Sequence, residues 1–170
     1  MKKIFSLKWV SVLLALALIF AFSSCSSDDD DDDEDTSSST TASAYLPDEF
    51  SSKTIAALYT KSESDSGTDE DTGVAYTYSD VEAYYFFTDY AWVKTTQTVI
   101  TSAGQTKTVN DLGYKGTYTL AGNYTDGTLV LNKTHQGKDN EWQAESESAW
   151  RTFTVSNGSF IHKDETYTKQ

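Results

Sequence analysis

The chain is poor in the residues that most often announce a chemistry. It has one cysteine and one proline in 170 residues, and its two histidines are His135 and His162. A single cysteine excludes both a disulfide framework and a cysteine-built zinc site. Basic residues are scarce as well, 13 against 26 acidic ones, for a formal net charge of −13. That balance argues against a nucleic-acid binder, because phosphate contacts need a basic face. The chain contains no P-loop, nucleophile elbow or dinucleotide fingerprint.

What is present divides the chain into three parts. Lys2, Lys3 and Lys8 form a positive start. Trp9 to Phe22 then runs for 14 residues, apolar except for Ser11. The run is too short to span a hydrocarbon layer of roughly 30 Å, which needs about 20 residues, and it suits the hydrophobic region of a secretory signal. It ends in Phe22-Ser23-Ser24-Cys25, two small residues directly before the only cysteine. This ending resembles a bacterial lipoprotein lipobox. The resemblance implies that residues 1–24 are removed and that Cys25 carries the lipid. Each buried acyl CH₂ contributes about 0.8 kcal/mol, so two or more chains anchor stably.

Cys25 is followed by Ser26, Ser27 and eight consecutive acids, Asp28 to Asp35, then by a Ser/Thr-rich stretch to Ala44. This composition cannot bury a core, so residues 25–44 read as a disordered acidic tether. Like charges along the block repel and extend it. A flexible polyanion lacks the fixed oxygen cage of a calcium site. An acidic run just after a lipidated cysteine looks like the surface-export signal of Bacteroidetes lipoproteins, and spirochaete lipoproteins carry acidic tethers too. The resemblance implies an outer-membrane lipoprotein displayed on the cell surface, with the periplasmic face of that membrane as the alternative.

Residues 45–170 hold ten bases and 18 acids, net −8, with all 11 tyrosines and three of the four tryptophans. These 126 residues suffice for one hydrophobic core. Aromatic and β-branched residues suit a pleated, half-buried surface. Alternation predicts strands. Tyr114, Gly116, Tyr118 and Leu120 share one face; Leu129 and Leu131 lie opposite Thr128, Val130 and Asn132; Phe153 and Val155 lie opposite Thr152 and Thr154. Asp126-Gly127 and Asn157-Gly158 are tight-turn dipeptides. Further strands are expected at 53–60, 75–78, 81–88, 91–101, 105–109 and 166–169. Two stretches break the pattern. Ser62 to Gly73 reads as a polar acidic loop whose Asp65, Asp69, Glu70 and Asp71 do not fit EF-hand spacing. His135 to Glu147 reads as a long loop with one helical turn, since Trp142, Ser146 and Trp150 could line one side of a short helix. The expected fold is all-β, an antiparallel up-and-down barrel of about eight strands, with a two-sheet sandwich as the alternative.

Gly116 to Leu129 looks like the repeating hairpins of bacterial lipocalin-like lipoproteins. Tyr85 to Val93 resembles their earlier hairpin, and Leu46 to Phe50 is similar to the turn that opens such a barrel. The Gly-x-Trp signature of typical lipocalins is absent from the first strand, where Ile55 to Leu58 stands. The resemblance implies a barrel that holds one small ligand or fills its interior with side chains.

Tyr84, Phe86, Trp92, Tyr118, Leu129, Leu131 and Phe153 are the interior candidates, as core or as pocket lining. Tyr84-Tyr85-Phe86-Phe87 puts aromatics on both faces of one strand, which calls for a second layer, a partner or a ligand. His135 and His162 are read as two solvent-exposed imidazoles with no metal between them. The expectation is a non-enzymatic lipoprotein without cofactor, held to the membrane by lipid on Cys25, whose barrel binds a small apolar or amphipathic ligand. The competing expectation is a surface interaction protein, adhesin-like or an envelope scaffold, with a packed barrel that meets an envelope or host partner.

Overall fold

Period-two alternation becomes one continuous sheet. A computed structural model describes residues 41–170; the expected signal peptide at 1–24, Cys25 and the acidic run lie outside the described residues. Eight strands follow in order: β1 (Ile55–Thr68), β2 (Ala75–Phe87), β3 (Ala91–Ser102), β4 (Gln105–Gly122), β5 (Gly127–Lys138), β6 (Glu141–Val155), β7 (Ser159–His162) and β8 (Glu165–Lys169). A 3₁₀ turn at Asp48–Phe50 precedes them. All neighbours are antiparallel in a single sheet ordered β6-β5-β4-β3-β2-β1-β8-β7. The sheet is curled into a half-barrel of up-and-down connectivity, and it is one sheet rather than two facing ones.

Closed into a ring, that order is simply the chain order. The missing seam is between β6 and β7, where one bridge, Ser156 to Ser159, joins the two edges. Asn157 and Gly158 make this turn with φ of 50° and 71°, the left-handed pair that a two-residue hairpin favours. Ala103-Gly104, Asp139-Asn140 and Lys163-Asp164 turn with both residues at positive φ as well.

Most of each segment expected as a loop is strand, and only 69–74 and the Asp139-Asn140 pair are turns. β1 continues through Thr68 in register with β2, Ser62 facing Val81 and Thr68 facing Ala75. The stretch 135–147 forms the far end of the β5–β6 hairpin, with Gln136 facing Gln143 and Lys138 facing Glu141. Residues 62–66 and 143–149 are exposed on both sides of their strands. Backbone pairing holds these arms, so they show no hydrophobic alternation.

The two faces of the sheet are covered differently. On the concave face Ala57, Tyr59, Tyr84, Phe86, Trp92, Tyr118, Leu129, Leu131, Phe153, Val155, Phe160 and Tyr167 form one cluster, drawn from every strand. On the convex face Tyr85, Phe87 and Val93 pack beneath Leu46 and Phe50, and Val81 and Val99 beneath Ala42. Phe50 stacks on Phe87 at 5.4 Å. The aromatic double face of β2 is thus explained by a second layer, which the chain itself lays down as residues 42–50. Polar contacts fix this lead. Ala42 N–H donates to Ser79 Oγ at 3.1 Å, and Ser43 N–H to Gln97 Oε1 at 2.8 Å. Glu49 accepts from Trp142 Nε1 and pairs with Lys115 at 3.2 Å.

Gly116 marks where β4 and β5 come closest. A Cβ there would stand 1.9 Å from the Asn132 carbonyl oxygen, and the register shifts at this residue. A bulge of this kind raises local twist and helps the sheet curl.

Candidate ligand-binding face

Directly opposed residues of antiparallel strands share a face, so the register orders the concave side into rows. Tyr59, Tyr84, Lys94 and Tyr114 make one row across β1 to β4. Tyr118, Leu131 and Arg151 make another across β4 to β6. Lys61, Glu82 and Thr96 make a third, one step toward the long arms.

All seven interior candidates meet in the concave cluster. Tyr84, Phe86, Trp92, Leu129 and Leu131 are fully buried, and Tyr118 and Phe153 nearly so. They form a floor of packed rings. Phe153 stacks on Phe160 at 4.3 Å, and Phe160 on Tyr167 at 5.1 Å. Tyr84 meets Phe153 and Tyr167 edge-on at 5.6 and 5.2 Å. Such pairs contribute about 0.5–1.5 kcal/mol each beyond area burial. Tyr118 donates to the Phe87 carbonyl at 2.9 Å and meets the Tyr124 hydroxyl. The floor therefore has its polar tips satisfied, with one exception. The Tyr84 hydroxyl is buried and finds no hydrogen-bond partner among the described residues.

A charged tier stands beside this floor. Lys94 pairs with Glu82 and lies over the Tyr84 ring at 5.6 Å. Lys61 lies 3.3 Å from Glu165 and 3.8 Å from Glu82. Tyr167 donates to Glu82 Oε2 at 2.9 Å. Lys133, its side chain only 5% exposed, pairs with Glu145 at 2.7 Å and Glu147 at 3.4 Å, and lies over both Tyr114 and Trp150. Trp150 itself stacks on Trp92 at 5.5 Å and meets Tyr114 at 4.6 Å.

Titration follows this arrangement. Burial pushes the Glu82 carboxyl up, but Lys94, the Tyr167 hydroxyl and Lys61 outweigh it, and the group settles below its ordinary value. Asp80, next along β2, is raised by burial even though Thr98 donates to it at 2.7 Å. Burial lifts Tyr59 to about 12 and raises Tyr84 further. Burial, then the charges of Lys94, Arg151 and Lys163, hold His162 below the usual imidazole value.

His162 is therefore not the exposed residue expected from sequence. It is half-buried, at 6.4 Å from the Tyr84 ring and 5.5 Å from that of Phe153. β7 is a short strand whose inward residues are Phe160 and His162, and this inward position draws the imidazole into the aromatic cluster. His135 pairs across the ladder with Lys115, on the side of the lead. Among the described residues no group of three or more His, Cys, Asp or Glu side chains is placed to hold a metal ion.

Sequence reasoning missed the tier of Lys61, Glu82, Lys94, Tyr114, Trp150, Arg151 and His162. Its one available signal was the Lys-Glu alternation that faces inward once β1 and β2 are extended. A second concavity, an open groove of about 580 Å³, lies along β1 and β2 and is lined by Thr41, Ser64, Asp65, Ser66, Thr77, Tyr78 and Ser79. It has no aromatic floor comparable to that of the concave face.

Comparison with protein-family models, with curated proteins and with solved structures found no match.

Proposed function

We propose that this chain is a lipoprotein of the outer membrane, displayed on the cell surface through lipid on Cys25, whose β domain is a non-catalytic binding module for a small amphipathic molecule. The ligand lies on the concave face, over the aromatic floor and against its charged tier. One observation carries this reading: the buried Tyr84 hydroxyl without a partner. An unsatisfied buried polar group costs roughly 1–3 kcal/mol, a cost that a bound polar atom would remove. Aromatic rings beside paired charges suit a molecule with an apolar body and a polar end. The residues first considered as pocket lining then act as the floor beneath the ligand.

A second reading, a surface interaction protein with a packed interior, is favoured by the ring-to-ring filling of the floor, where Phe153 and Phe160 stack at 4.3 Å. Native mass spectrometry separates the two. The chain is released from native cells and compared with the same chain made in a heterologous host. A reproducible extra mass in the native sample is expected; bare masses in both samples favour the second reading.

A further inference from the structure

A strand left open on one side is a template for another strand. β1 is open over half its length because the last hairpin is short. β7 and β8 have four and five residues, whereas β1 has 14. β8 pairs with β1 only at Tyr59 and Thr60, and Gln170 N–H donates to the Leu58 carbonyl at 2.9 Å. Alternate residues of an antiparallel strand turn their hydrogen-bonding groups to opposite sides. In β1 the even-numbered residues therefore face β8, and the register with β2 runs unbroken from Ala57 to Thr68. Past Thr60 the same groups of Ser62, Ser64, Ser66 and Thr68 face no strand among the described residues. Ser66 N–H is held locally by Asp65 Oδ1 at 2.8 Å, and all four residues are exposed.

The other long edge, β6, is blunted. Its pairing with β5 shifts register between Leu131 and Lys133 and again between Lys133 and His135, and Ala149 has a φ of 48°. Bulges of this kind turn an edge away from a second strand. From Ala57 to Thr68, β1 has no register shift, proline or positive φ. What guards it is charge, and that charge has one sign. Lys61, Glu63 and Asp65 continue the concave side of Tyr59 by alternation. Lys61 is shared among Glu63 at 3.2 Å, Glu165 at 3.3 Å and Glu82 at 3.8 Å. Lys94 pairs with Glu82 as well, and Asp65 has no cationic partner among the described residues. Two bases thus stand against four acids, a local charge of −2. Like charges directly opposite in a ladder are destabilising. A second copy laid antiparallel along 62–68 would set the two Asp65 carboxylates face to face, and the chain's own acidic run, Asp28 to Asp35, would add more acids.

We infer that the outer edge of β1 from Ser62 to Thr68 is a strand-addition site for an extended basic segment of a partner protein, with lysine or arginine at alternate positions. The backbone of that segment pairs with Ser62, Ser64, Ser66 and Thr68, as extended peptides do when they join a sheet edge. Its basic side chains lie on the concave side beside Glu63 and Asp65, where opposite charges across the ladder are favourable. Its remaining side chains meet the row of serine and threonine hydroxyls on the convex side. The site is separate from the aromatic floor and does not rest on the ligand reading above.

The test uses the full chain in nanodiscs of zwitterionic lipid, with empty nanodiscs as the blank. Three capped peptides serve as probes. One alternates lysine and threonine, one alternates glutamate and threonine, and the third is the lysine peptide N-methylated at alternate residues, which keeps the charge and loses the ladder donors. Titration calorimetry is expected to show the lysine peptide binding at least tenfold more tightly than either of the others. Hydrogen exchange followed by NMR should slow at least tenfold at the Ser62, Ser64 and Thr68 amides when it is added, and stay unchanged at Glu63 and Asp65, which face β2. Ser64→Pro removes an outward donor without touching the β2 ladder and should weaken the lysine peptide about tenfold. Asp65→Lys, on an exposed side chain, should weaken it too. Equal binding of the lysine peptide and its N-methylated form means attraction by charge alone, the acidic run included, and overturns the site. Binding without slowed exchange at the three amides overturns it, as does no binding at millimolar peptide. Slow exchange at those amides before any peptide is added also overturns it, since another segment of the chain or a second copy would then cover the edge.

Discussion

Removing one oxygen atom from the core is expected to stabilise this protein. In Tyr84→Phe the ring keeps its neighbours, Trp92 at 6.3 Å, Phe153 and Phe160 at 5.6 Å and Tyr167 at 5.2 Å. Only the hydroxyl goes, and it makes no hydrogen bond among the described residues. Relieving an orphaned buried donor is worth about 1–3 kcal/mol. The void left by one oxygen, about 10–15 Å³, returns roughly 0.3 kcal/mol at the usual cavity cost. The net is a gain of about 1–2 kcal/mol, or a rise in Tm of about 3–8 °C for a body of this size. The neighbouring Tyr167→Phe supplies the control. Chemically it is the same deletion, but it breaks the 2.9 Å bond to the Glu82 carboxylate, a charged hydrogen bond worth about 1.5–3 kcal/mol. It should lower the urea midpoint, whereas Tyr84→Phe raises it, with the denaturant slope unchanged in both. A Tyr84→Phe protein destabilised by 1 kcal/mol or more would mean that the hydroxyl is partnered in solution. The reasoning from its isolation would then fail.

Other expectations follow from the same geometry. Gly116→Ala forces a methyl group to 1.9 Å from the Asn132 carbonyl and should cost about 2 kcal/mol or more, as overpacking does; a thermal melt by circular dichroism at the wild-type temperature would refute the close approach. His162 has a folded pKa below its ordinary 6.5, so the unfolded chain binds the proton first. Stability should therefore fall as pH drops from 6.5 toward the folded value, and His162→Asn should flatten the urea midpoint over that window. Glu82, with its folded pKa below its ordinary 4.5, contributes stability that is present above 4.5 and lost as pH falls through the folded value; Glu82→Gln should remove that acid limb. Cys25→Ala should release the protein from membranes into the soluble fraction, and persistent membrane association would refute lipid anchoring.

The sequence was most legible where one face of a strand is dry. Tyr114 to Leu120, Leu129 to Leu131 and Phe153 to Val155 alternate because every second residue, Tyr114, Tyr118 and Leu120 in the first, enters or packs on the concave cluster and the others do not. The Asn157-Gly158 turn was legible for a local reason, the left-handed backbone it must adopt. The arms at 62–68 and 135–147 were not. Wet on both faces over much of their length, they leave no periodic trace, and the spacing of Trp142, Ser146 and Trp150 imitates a helix by chance. Trp142 in fact reaches Glu49 in the lead, while Trp150 sits on Trp92 in the floor. The candidate site shows the same limit. Its floor could be picked from apolar residues alone, but Glu82, Lys94 and His162 are brought around Tyr84 only by the pairing of strands up to 80 residues apart in the chain.

The ring-like strand order also sets a sequence of events. Every pairing from β1 to β6 joins chain neighbours, and hairpins of that kind form early because little loop entropy opposes them. The contact of β8 with β1 is the exception. It joins Thr60 to Thr168 and is reinforced by Gln170 N–H to the Leu58 carbonyl at 2.9 Å, so it closes a loop spanning nearly the whole domain. Tyr167, which completes the aromatic floor and caps Glu82, arrives with that same strand. The meander can therefore assemble hairpin by hairpin while its concave face stays open, and the aromatic floor acquires its final form only when β8 docks.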